Sequence, residues 1–223
     1  MLVPHASHGA DWSLNPSVTV SEQYDSNIRL LPNNAPNKQS DFITSFTPEL
    51  SLSRDTELTK LKFDSITSAR KYVENPGLDS IDTASRVSLT TRWSPGFSTD
   101  ISTAFVHDTT MEDQLDQSGI RTIRAERYRY EFGAGAKYAF TERFSLLVSG
   151  GGGQSLYPSG EAPDQLTTQF TVTPAWAATE RDTIGLGMAF TYKDYEDGLK
   201  IHTFSQMIYW QSILSETFYF KLG

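Results

Sequence analysis

Glu126–Phe140 reads ERYRYEFGAGAKYAF. Tyr128, Tyr130, Phe132, Ala134, Ala136, Tyr138 and Phe140 fall on one parity, and Arg127, Arg129, Glu131, Gly133, Gly135 and Lys137 fall on the other. A helix would scramble that separation, whereas the pleat of a β-strand sends successive side chains to opposite faces and preserves it. The stretch is therefore a strand with one apolar, aromatic face and one polar, charged face.

The same period of two recurs outward from it. Ile81, Thr83, Val87, Leu89, Thr91 and Trp93 oppose Asp82, Arg86, Ser88, Thr90 and Arg92. Shorter runs give Leu14, Val18, Val20 and Tyr24; Phe42, Phe46, Leu50 and Leu52; Leu61 and Phe63; Phe97, Ile101 and Phe105; Phe144, Leu146 and Val148; Phe170, Val172 and Trp176; and Ile184 to Tyr192. Over His202–Ile213 the parity is open, because Phe204, Ile208 and Trp210 compete with Met207, Tyr209 and Ile213. A last short run spans Thr217–Leu222, and Pro16, Pro48 and Pro174 fall inside strands, where a missing donor predicts bulges or shortened strands.

A phrase separates the strands: FTERFSL at Phe140–Leu146, ATERDTIGLG at Ala178–Gly187 and LSETFYF at Leu214–Phe220, with SRDTEL at Ser53–Leu58 and WSPGF at Trp93–Phe97 upstream. These tight turns alternate with longer polar breaks at Asp25–Asp41, Glu74–Ser80, His107–Ala125, Tyr157–Gln165 and Asp194–Lys200. Short turns at one end and long loops at the other are the pattern of an outer-membrane barrel. Aromatic residues gather at both heights: Trp93, Phe97, Tyr138, Phe140, Phe144, Trp210 and Phe218 near the turns, and Tyr24, Tyr72, Tyr128, Tyr157, Tyr192 and Tyr195 near the loops. Two such bands are expected of the girdles at the two interfaces of a membrane.

The 223 residues hold no cysteine, carry a formal charge of −8 and are 38% hydrophobic, with a mean hydropathy of −0.40. No stretch approaches the roughly 18–20 apolar residues of a spanning helix. A barrel escapes that test, since only alternate strand residues face lipid. The acidic balance argues against nucleic acid as a partner. Residues 1–11 read as a polar tail or the remnant of a secretory signal peptide, and 12–223 as the barrel.

The text PSVTVSEQYDSNI at Pro16–Ile28, followed by SDFITSFTPELSLS at Ser40–Ser53, resembles the opening hairpin of the beta-barrel porin 2 family. Tyr24-Asp25-x-Asn27 before a long loop is its most recognisable piece. The resemblance covers the first third of the chain and continues beyond it at the level of pattern. It implies an outer-membrane location and a role in passing or anchoring surface polysaccharide, since members of that family accompany exopolysaccharide synthesis and export systems. It carries no catalytic residues.

On the polar parity, Lys60, Lys62, Arg86, Arg92, Arg127, Arg129, Glu131 and Lys137 are the expected lumen-lining residues, and bases outnumber acids there. A basic lumen favours anionic solutes such as acidic oligosaccharides, whereas cross-strand pairing of the same charges would fill a small barrel that conducts nothing. Gly133, Gly135, Gly151, Gly153, Gly185 and Gly187 share this parity and predict tight curvature more than open space. No metal ligand set is expected: Asp108, Glu112, Asp113 and Asp116 match no EF-hand spacing. His107 and His202 lack a serine motif such as G-x-S-x-G, so no catalytic residue and no cofactor is expected either.

The reading is an all-β chain: an antiparallel up-and-down transmembrane β-barrel of about 10–12 strands in the cell outer membrane, with short periplasmic turns and longer extracellular loops. Its expected function is a porin-like channel or export component for saccharides or surface polysaccharide, in contact with outer-membrane lipid and partner proteins of a surface assembly. A non-conducting anchoring barrel and a soluble β-sandwich or lipocalin-like binder are the alternatives.

Overall fold

The computed structural model describes residues 9–28, 38–109, 125–160, 162–215 and 218–222. Eleven strands form one sheet, each beside its neighbour in the chain and antiparallel to it. They are β1 (Asp11–Asp25), β2 (Asp41–Asp55), β3 (Thr59–Tyr72), β4 (Ser80–Ser94), β5 (Phe97–Thr109), β6 (Glu126–Ala139), β7 (Phe144–Leu156), β8 (Gln165–Ala177), β9 (Asp182–Tyr195), β10 (Lys200–Ser215) and the short β11 (Phe218–Leu222). Among the described residues β1 and β11 are the two flanks of the sheet, and no pairing joins them.

Register shows which residues share a face, because side chains opposite one another on paired strands point the same way. Val20 faces Phe46, Leu52 faces Phe63, Phe63 faces Val87 and Leu89 faces Ile101. Ile101 then faces Ala134, Phe144 faces Trp176, and Phe190 faces Phe204. The last pairing settles β10: Phe204, Ile208 and Trp210 belong to the apolar face, and Met207 and Tyr209 to the other. Many of the apolar side chains are half or more exposed, Ile208 at 73% and Phe132 at 58%.

Charge separates the faces by height. On the apolar face the charged strand residues are Glu22, Arg54, Lys71, Glu126, Asp182, Asp194 and Lys200, each within three residues of a strand end. Between those ends the face carries none among the described residues. The opposite face carries Glu49, Asp64, Arg86 and Glu131 in mid-strand. About ten residues of tilted strand separate the two charged rims, close to the 9–11 a bilayer requires.

The turns explain the repeated phrase. In T-E-x-x at Thr56, Thr141 and Thr179, the threonine Oγ1 accepts the backbone N–H three residues on, from Thr59, Phe144 and Asp182, each at 2.9 Å. Thr141 and Thr179 also accept the N–H two residues on, from Arg143 and Arg181. One hydroxyl thus closes a turn without glycine. The corresponding turn near residue 216 lies outside the described residues.

The prolines behave differently from expectation. No bulge marks Pro48 or Pro174: Phe46–Ala69 and Glu49–Ile66 keep one register across the first, and Val172–Met188 and Ala175–Gly185 across the second. Each ladder simply lacks its bridges there, so the missing donor is absorbed locally and the strands stay long. Register shifts instead occur between Arg92 and Ser94, beside a tight turn, and between Ile213 and Ser215.

The turn-end girdle is continuous. Phe97, Tyr138, Phe140 and Phe144 contact one another in sequence at 6.1, 4.7 and 5.5 Å, and Trp176, Ile184 and Trp210 are cross-strand neighbours. Trp93 donates Nε1–H to Thr99, and Trp210 donates to Asp182. Trp12, under the guanidinium of Arg54, and Trp176 join this band beyond the aromatics the sequence reading assigned to it. The loop-end band is thinner than expected. Tyr24, Tyr128 and Tyr192 hold outer positions, but Tyr72 is buried on the other face, and Tyr157 lines a cavity there. Tyr195 shares that inner parity through its pairing with Gln165. The Asp194–Lys200 connection is also no long loop: Tyr195 N–H bonds Leu199 O at 2.9 Å around Gly198, whose φ is +91°.

This facing predicts an asymmetric response to charge. Ala134→Arg, on the apolar face, should lower unfolding stability in lipid vesicles by about 2–4 kcal/mol, while Thr171→Arg, on the polar face, should leave it nearly unchanged. Urea titration followed by tryptophan fluorescence measures both; equal losses would contradict the assignment of faces.

Candidate functional site, a polar concave face

The polar face is the concave one. Asn15 and Glu49, on β1 and β2, line the same cavity as Arg129 and Glu131 on β6, so the sheet curls toward this side. Glycine permits the bend. A Cβ on Gly151 would stand 2.5 Å from the carbonyl oxygen of Phe132, and one on Gly153 would stand 2.9 Å from that of Tyr130. Strands β6 and β7 approach too closely for any side chain there, as the curvature reading expects. Gly135 and Gly185 are covered instead, by the carboxylate of Asp100 and the ring of Tyr209.

All eight sequence-predicted residues lie on this face. Lys60, Lys62, Arg86 and Arg92 follow the inner parity of β3 and β4, and Arg127, Arg129, Glu131 and Lys137 that of β6. The expected excess of base does not hold. Asp11, Asp25, Asp41, Glu49 and Asp55 share the face through the β1–β2 register, so ten acids meet nine bases among the described residues of β1–β10. The sequence reading followed only the apolar residues of β1 and β2 and so missed the acids between them.

Many of these charges are paired. Lys60 meets Asp55 at 3.1 Å, Lys62 meets Asp64 at 2.9 Å, and Arg70 meets Asp82 at 3.5 Å. Arg127 grips Asp108 through Nε and Nη2, at 2.9 and 2.7 Å, and Arg129 reaches the same carboxylate at 3.2 Å. The two-pronged geometry and the 10% exposure of the Arg127 side chain make this the most enclosed ion pair on the face among the described residues. Asp108 is thus committed to arginines; Glu112, Asp113 and Asp116 lie outside the described residues. Charge concentrates on β1–β6, while β7–β10 present uncharged residues to the concave side, glycine, serine, threonine and glutamine with Leu147, Met207 and Tyr209 among them, and Lys193 is their one charged residue among those described.

At the loop end the concave side is partly covered. Ile28, Ile43, Tyr72 and Leu78 form a small buried cluster, Ile28 just after β1 and Leu78 just after β3 closing onto the inner residues of β2 and β3. Asp41, 2% exposed, fixes that arrangement: its carboxylate accepts N–H bonds from Val73, Glu74 and Asn75 and from the Asn75 side-chain amide, at 2.8 to 3.1 Å. Only the adjacent Tyr24-Asp25-x-Asn27 element marked this region in the sequence; nothing singled out Asp41.

Both described histidines sit on the outer face. His107 stacks on Tyr128 at 4.5 Å and shares a 2.8 Å hydrogen bond with Glu126, and His202 lies beside Tyr192 and Phe190.

No family model matches the chain, and no curated protein sequence matches it significantly. Solved structures do resemble it. The outer membrane channel DcaP of Acinetobacter baumannii is 8% identical, with a TM-score of 0.61 over 86% of this chain and 70% of that one. The COG4313 outer membrane channel from Pseudomonas putida F1 (10% identity, TM-score 0.46, 97% and 88% covered) and the Ralstonia pickettii toluene transporter TbuX (9%, 0.37, 92% and 70%) are more distant in shape. At such identity the likeness concerns fold.

The Asp41 contacts are testable. Asp41→Ala leaves several N–H groups without their acceptor, so amide exchange at residues 73–75 should quicken by at least about tenfold while mid-strand amides are unaffected. The architecture, with a lipid-type exterior and a hydrophilic concave side, is that of an outer-membrane β-barrel.

Proposed function

We propose that the chain is the wall of an outer-membrane channel that passes small hydrophilic solutes, saccharides among them. The observation that carries this reading is the contrast at mid-height. Charged side chains crowd the concave face where the outer face has none among the described residues. Ionisable groups at membrane depth are costly unless they border water or one another, so a charged interior at this height favours a wet path. The TM-score of 0.61 to a channel supports the barrel form in which such a path exists.

Passage or anchoring of surface polysaccharide extends this reading, on the resemblance of Pro16–Ile28 and Ser40–Ser53 to the beta-barrel porin 2 family. A non-conducting anchoring barrel is the second reading. It is favoured by the ion pairs of β2–β6, which occupy part of the concave side.

Planar-bilayer recordings separate the two. A channel should give discrete current steps that scale with bulk salt and shrink when neutral sugars are added to the bath. A protein that inserts without current steps is the anchoring barrel.

A further inference from the structure

One register row crosses the concave face from mid-strand on β4 to near the loop end of β9 and carries Arg86, Ala104, Glu131, Gly153, Thr167 and Lys193. These residues line a trough of about 560 Å3. That volume is within the roughly 300–1,000 Å3 of small-molecule sites. Its middle is low because Ala104 and Gly153 project little, and Thr167 and Gln169 supply polar groups beside them. Arg127 and Arg129 stand on its loop-end side, both committed to Asp108.

The row ends on two cations. Arg86 and Lys193, like Arg92 and Lys137 elsewhere on this face, form no ion pair among the described residues, in contrast to Lys60, Lys62 and Arg70. At about 4.8 Å per strand they stand on the order of 24 Å apart along the curved surface, so no small anion bridges both. Lys193 is a cationic pole with uncharged, hydrogen-bonding ground beside it, and Arg86 is a second pole that faces Asp64 on β3 on its other side. Glu131, between them, is an acceptor for hydroxyl protons and repels a carboxylate placed in the centre.

We infer that this trough is a binding subsite for sugar acids: a carboxylate rests on Arg86 or Lys193, and the ring hydroxyls extend over the low middle toward Glu131, Thr167 and Gln169. Between the poles the floor offers a hydrocarbon body only glycine, alanine and threonine, so a simple aromatic acid, even against the ring of Tyr157, gains none of the hydroxyl contacts with Glu131, Thr167 and Gln169. A neutral sugar gains the hydroxyl contacts without the charge contact. Tyr157, on the trough's lining, presents a ring against which the apolar side of a sugar can lie. The inference deepens the channel reading and rests on it for the route by which solute arrives.

The test is calorimetric titration of the detergent-solubilised full chain with sodium glucuronate, glucose and sodium benzoate, for the native sequence, Arg86→Gln/Lys193→Gln and Lys60→Gln. Glucuronate should bind the native chain at least about tenfold more tightly than either comparison solute. It should lose about tenfold or more in the double variant, be unaffected in Lys60→Gln, and weaken with added salt on the native chain. Equal affinity for glucuronate and glucose, or a salt-independent affinity in the native chain, overturns the inference even if the double variant fails to fold. Proteoliposome influx of the same solutes keeps the two readings apart. Binding without influx upholds the trough and rejects the channel, while influx that does not discriminate glucuronate from glucose rejects the trough and keeps the channel.

Discussion

A bilayer offers no hydrogen bonds, so every backbone N–H and C=O that crosses it must find a partner within the protein. An up-and-down antiparallel sheet meets that demand strand by strand, and its pleat then places the protein between two media at once. The outer face of this chain is apolar between two charged and aromatic rims, while the inner face at the same height carries Asp64, Arg86 and Glu131. Everything else described here follows from keeping those two sets of side chains on opposite sides over strands of thirteen to sixteen residues. A slip of one residue in the register of β4 or β6 would turn arginines into lipid.

Legibility in the sequence tracked how directly each feature depends on alternation. Glu126–Phe140 declared its strand because both parities are chemically pure. β10 did not, because Met207 and Tyr209 lie inside while Phe204 and Ile208 lie outside, and only pairing with β9 separates them. The prolines misled for a related reason: a missing donor costs one bridge, which a long strand with an intact register on both sides tolerates. The threonine turns were visible as a repeated phrase, but its cause, a hydroxyl that accepts the N–H two and three residues on, required the geometry.

The concave face was half legible. Its eight expected residues are there, since each belongs to a strand whose apolar partners were easy to read. Its balance of charge was not, because the acids of β1 and β2 sit among serines and threonines whose parity draws no notice. Nor could sequence foresee the division of labour along the sheet, with charge on β1–β6 and small neutral groups on β7–β10. That contrast arises only when the strands are laid side by side; on β7 close approach to the β6 backbone leaves no room for a side chain at Gly151 and Gly153.

The buried Ile28, Ile43, Tyr72 and Leu78 cluster makes the loop end lopsided among the described residues. It thickens the sector of β1–β4 with apolar side chains held by a single carboxylate. On the channel reading proposed above, a solute arriving from that end is turned away from β1–β4 and toward the neutral sector, and its first charged contact is with the pole that borders that sector. The order in which the interior is met is then set at the rim.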